Sequence, residues 1–126
     1  MPEPITHVVL VGHCGFDSGP LGRLAQSIAP DAKVVGVNKH KHLADVAHPQ
    51  ALWLVNRALD GRFDAADGID LIGQHAGAQA PPRQMLVSNY PESQAAAEAA
   101  GALPGFGKND VGRPDLAQRL RDTLDR

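Results

Sequence analysis

Unbroken apolar runs alternate along this chain with stretches of helical periodicity. HVVLV at 7–11 is continuous and β-branched, the pattern of a strand covered on both faces. AKVVGV at 32–37, ALWLV at 51–55 and QMLV at 84–87 read the same way, and LPGF at 103–106 is a fifth strand weakened by Pro104 and Gly105. Between them lie the helical stretches. Leu21, Leu24, Ala25 and Ile28 share one helical face, with Asp17 or Ser18 as the expected cap, Pro20 in the first turn and Ala29-Pro30 as the stop. A short, weak helix is expected at 39–47, another at 68–75 and an alanine-rich one at 91–100, which Gly101 ends. The last, 113–124, opens on Pro114 and carries Leu116, Leu120 and Leu124 on one face.

Five strand–helix units in succession predict an α/β fold: one doubly wound (βα)5 domain over 1–126, with a parallel sheet in the order 2-1-3-4-5. Ligands of such sheets bind outside the carboxyl ends of the strands, beside the switch between strands 1 and 3. The segments to inspect are therefore 12–18, 38–42, 56–67, 88–90 and 107–110.

In that frame the chain resembles a response-regulator receiver. LWLVNRALDG followed by DGIDLI matches the family's third strand and helix, QMLVSNYPES its fourth strand, and EAAGALPGFGKND the stretch up to its strand 5 lysine. The family places an acidic pair after strand 1, a phosphorylatable aspartate at the end of strand 3, a Ser or Thr after strand 4 and a lysine after strand 5. Ser88 and Lys108 fall on the last two positions. Asn56 stands where the aspartate belongs, and Gly12 and His13 stand where the acidic pair belongs. A hard cation such as Mg²⁺ wants oxygen ligands, and a neutral amide cannot form an acyl phosphate. The resemblance thus implies a non-enzymatic pseudo-receiver, a signalling or protein-interaction module that works without phosphorylation. A protein partner, or a second copy, is expected on the final helix and the neighbouring Phe106 strand.

Other chemistry competes at the same edge. His13 and Cys14 lie between Gly12 and Gly15, and His40 and His42 follow strand 2. Imidazole and thiolate suit Zn²⁺ or copper, so His13, Cys14, His40 and His42 are a candidate metal or redox-sensing set; packed or solvated side chains are the bland alternative. No cofactor is otherwise expected. Asp60, Asp64 and Asp67 form an acidic loop that either binds a cation or is solvated, with Asp67 capping the next helix. Trp53, mid-strand, reads as core, and Tyr90 as a contact residue or a lid. Cys14, the single cysteine, has no internal disulfide partner, so a reducing cytoplasmic compartment is expected. A net charge of -2, from 12 basic and 14 acidic residues, offers no electrostatic footprint for nucleic acid. No run approaches a membrane span, and the N-terminus lacks the basic region of a signal peptide.

Overall fold

A computed structural model describes residues 4–125, apart from the side chains at 16–18. Five parallel strands run in the order 2-1-3-4-5: β1 (His7–Val11), β2 (Lys33–Val37), β3 (Ala51–Asn56), β4 (Arg83–Val87) and β5 (Leu103–Phe106). β1 pairs with both β2 and β3 in one register, His7 facing Lys33 on one side and Ala51 on the other. This is the doubly wound architecture that the sequence pattern predicts.

The unbroken apolar runs are explained by burial on both faces. Val8, Leu10, Leu52, Leu54, Met85 and Val87 point to one side, under α1 (Gly15–Ile28) and α4 (Leu116–Leu124). Val9, Val11, Trp53, Val55 and Leu86 point to the other, under α2 (Gly68–Ala76) and α3 (Pro91–Ala99). Successive side chains alternate faces in a strand, so a run with no polar member needs two cores.

Two helices start elsewhere than expected, and the short, weak helix expected after β2 is of the 3-10 type, His40–Val46. Its buried residues, Leu43 and Val46, are three apart, which suits three residues per turn. The Trp53 indole N–H donates to the Val46 carbonyl at 2.9 Å and so satisfies one of the open acceptors at its end. Helix α1 starts earlier than a cap at Asp17 or Ser18 would place it; Cys14 is its N-cap, with no side-chain capping bond, and Pro20 lies inside the helix. The side chains of Asp17 and Ser18 lie outside the described residues. Helix α4 begins at Leu116, because Arg113 to Asp115 form turns.

β5 tolerates Pro104 because it is an edge strand, and its register against β4 shifts between Met85 and Val87. Gln94 of α3 repairs the gap, its amide donating to the carbonyls of Leu86 (2.9 Å) and Phe106 (3.1 Å). No helix among the described residues is long and apolar enough to cross a membrane.

Candidate functional site

The carboxyl ends of β1, β3, β4 and β5 meet where the topology predicts a site. Asn56 ends β3 and Ser88 follows β4; both are nearly buried. Lys108 opens a short 3-10 turn after β5, Lys108–Asp110. Asn56, Ser88 and Lys108 line one small cleft of about 170 Å³, together with Arg57, Asn89 and Tyr90. Three of the five expected pocket positions therefore do converge.

The other two close the corner. Both hydrogens of the Asn56 amide are used: Nδ2 donates to the Gly12 carbonyl at 3.0 Å and to the Ala58 carbonyl at 2.8 Å. The Gly12 carbonyl also accepts from the Asp60 N–H at 2.9 Å, which fills its two lone pairs. Gly12 itself sits at φ 73, in the left-handed region, and a Cβ there would lie 2.7 Å from Leu59 Cδ2. The loop after β3 folds back over the end of β1 and takes the space an acidic side chain would need.

A second asparagine extends this lacing. Asn38, just after β2, donates from Nδ2 to the His13 carbonyl (3.1 Å) and the Asp60 carbonyl (2.7 Å). Four backbone oxygens at this edge are thus turned toward amide hydrogens. A hard cation competes for such oxygens, and here each already has a donor.

The candidate metal set is not assembled. His13 is buried, 3% exposed, and its Nε2–H donates to the Leu54 carbonyl at 2.9 Å. His40 Nδ1 accepts from the Asp64 N–H at 3.1 Å, and its ring packs edge-on against Phe63. His42 is exposed, and Cys14 is half-buried at the start of α1. Among the described residues no three His, Cys, Asp or Glu side chains gather as metal ligands. β1 and β2 are neighbours as expected, but Asn38 and the loop at 60–62 come between the ends that carry these side chains.

The acidic loop has structural work. Asp67 caps α2, Oδ1 accepting from the Asp70 N–H at 2.9 Å, while Asp60 and Asp64 hold their neighbours through backbone N–H groups. Trp53 is core, as its position in the strand implies. Tyr90 is 55% exposed, the one large hydrophobic side chain so exposed among the described residues, with the Arg57 guanidinium 5.7 Å from its ring centre.

The apolar side chains expected to form a docking face on the final helix do not reach the surface. Leu116, Leu120, Leu124 and Phe106 are all buried in the core against α1 and the sheet. They hold α4 in place and leave its outer face polar, with Gln118, Arg119 and Asp122 exposed.

Sequence reasoning missed the two asparagine lacings and Arg62. The run Ala58-Leu59-Asp60-Gly61 after a strand gives no sign that the loop returns to the end of another strand.

Solved structures resemble the whole chain. The signal receiver domain of a DNA-binding response regulator from Colwellia psychrerythraea 34H superimposes with a TM-score of 0.68 at 13% identity, covering 97% of this chain and 99% of that one. For a response regulator described as putative from Chloroflexus aurantiacus J-10-fl the TM-score is 0.67 at 15% identity, with 98% and 100% covered. The beryllofluoride-activated N-terminal receiver domain of RstA from Klebsiella pneumoniae gives 0.63 at 18% identity, with 96% and 99% covered. No family model matches the chain, and no curated protein matches it. The fold is that of response-regulator receivers.

Proposed function

We propose that the chain is a receiver-like signalling module that contacts other proteins and works without a phosphoryl group at Asn56. The reading rests on the Asn56 amide, whose two hydrogens go to the carbonyls of Gly12 and Ala58. A phosphoacceptor must present an oxygen nucleophile to the cleft beside a cation that neutralises the incoming phosphate. Here the side chain is neutral and its donors face inward. The carbonyls that surround it are occupied, and Leu59 covers the end of β1. Ser88 and Lys108 keep the cleft's polar wall beside a side chain that cannot take a phosphoryl group. Tyr90 with Arg57 at the rim supplies the kind of exposed aromatic and guanidinium pair that anchors protein contacts.

Titration with beryllofluoride and Mg²⁺, followed by backbone amide spectra, tests the phosphorylation-independent reading. The expected result is no stoichiometric, Mg²⁺-dependent shift at Asn56, Ser88 or Lys108. Saturable shifts at those three positions, or a phosphoryl adduct after incubation with acetyl phosphate, overturn it.

A further inference from the structure

A cleft larger than the one at the Asn56 corner lies elsewhere among the described residues. It lies outside the end of β2, has a volume of about 550 Å³, and is lined by Lys39, His40, Lys41 and Arg62. That volume is in the range of small-molecule sites, and the cleft opens on the carboxyl-end side of the sheet, one strand away from the switch between β1 and β3. Three of its four lining side chains are cations in a chain of net charge -2. The clustering is therefore local and does not reflect a basic protein.

The chain holds these cations together deliberately. Arg62 pairs with Lys39 in an isolated parallel bridge, which puts both side chains on one face of the ribbon. The Arg62 N–H donates to the Asn38 carbonyl at 2.8 Å, and the His40 N–H donates to the Arg62 carbonyl at 2.7 Å. Gly61 makes the approach feasible: its φ is 119, and a Cβ there would run into the Asn38 carbonyl. Like charges side by side are destabilising. Nothing offsets them, since no carboxylate among the described residues lies within ion-pair distance of Lys39, Lys41 or Arg62. Asp60 and Asp64, on either side of Arg62, serve this region through their backbones.

His40 completes the lining with a fixed donor. Its Nδ1 accepts from the Asp64 N–H, so the ring proton is on Nε2. Two lysines and an arginine thus border the cleft beside the His40 ring.

We propose that this cleft is a binding site for a small ligand carrying a diphosphate group. Two linked phosphates match two or three facing cations better than one does, and the Arg62 guanidinium suits a bidentate grip on phosphate oxygens. The site stands apart from the Asn56 corner and does not depend on how that corner is read.

Calorimetric titration with inorganic pyrophosphate, orthophosphate and a nucleoside diphosphate tests it. Pyrophosphate binds at one site, roughly tenfold or more tighter than orthophosphate, and shifts the amides of His40 and Arg62. The double variant Lys39→Gln/Arg62→Gln weakens pyrophosphate roughly a hundredfold, from the loss of two charge-assisted contacts. Lys33→Gln, an exposed cation at the opposite end of β2, leaves binding unchanged. Equal affinity for pyrophosphate and the nucleoside diphosphate assigns recognition to the phosphates alone, and tighter binding of the nucleotide adds a contact to its nucleoside. The proposal is overturned if neither diphosphate binds at millimolar concentration. It also falls if Lys33→Gln costs as much as the double variant, or if the double variant, folded by circular dichroism, binds like the parent.

Discussion

Asn56 decides the chemistry of the sheet's carboxyl edge through hydrogen rather than through charge. Its amide donates twice, to Gly12 and Ala58, and an aspartate has no hydrogen to give at neutral pH. Asn56→Asp is therefore expected to destabilise the protein by about 3 kcal/mol, because a carboxylate would face two carbonyl oxygens in a nearly buried place. Urea unfolding measures it, and the gap from the parent narrows on acidification, when the protonated acid recovers one donor. An unchanged midpoint at neutral pH contradicts this account of the corner. The neutral side chain at position 56 was legible from the sequence, as were Ser88 and Lys108 beside it. Its partners were not. Gly12 is distant in the chain and Ala58 carries no polar side chain, so only the backbone of the folded loop brings acceptors to the amide. The same holds for His13: its type suggested a ligand, but its place beneath β3 made it a donor to Leu54.

Among the elements, α4 shows how an amphipathic pattern is read correctly and assigned wrongly. The four-residue spacing of Leu116, Leu120 and Leu124 does mark one apolar face, but that face is consumed by α1 and the sheet. Arg121 adds a hydrogen bond to the carbonyl of Ser27 at the far end of α1. Leu120 is 1% exposed, so Leu120→Ala should cost about 3 kcal/mol in chemical denaturation with the slope of the transition unchanged. A loss below about 0.5 kcal/mol, the range of surface substitutions, would return this leucine to the outer surface. Strands β1 and β3 were legible because double burial leaves an unbroken apolar run. The 3-10 segment was not, since Leu43 and Val46 at a spacing of three fit either helix type. The start of α1 was also hidden: a run rich in glycine, with Ser and Pro, carries several stop and start signals, and the single apolar residue in it, Phe16, sets no helical period to choose among them.

For the whole molecule, both cores share one sheet. Trp53 belongs to one core, and its strand neighbours Leu52 and Leu54 belong to the other. Neither face can unravel without exposing β3. Tryptophan fluorescence and far-ultraviolet circular dichroism should therefore report one urea transition with the same midpoint. Separated midpoints would mean that the two layers melt independently. Strand order and fold type followed from the sequence pattern, because parallel strands joined by right-handed crossovers leave few topologies. The site was half legible: the chain segments that matter were placed, but the loop at 57–67 returns to the ends of β1 and β2 through backbone contacts that no side-chain pattern announces. That return has a consequence for how the protein can change over generations. A cation site on the full receiver pattern, with the acidic pair at 12 and 13 and an aspartate at 56, needs a side chain at position 12, against φ 73 and Leu59, and an acid at position 56, against two carbonyls. Each substitution alone weakens the fold and gives no working site. The closed corner therefore resists conversion to a cation site one residue at a time, and single variants made toward such a site are expected to lose stability before they gain a metal.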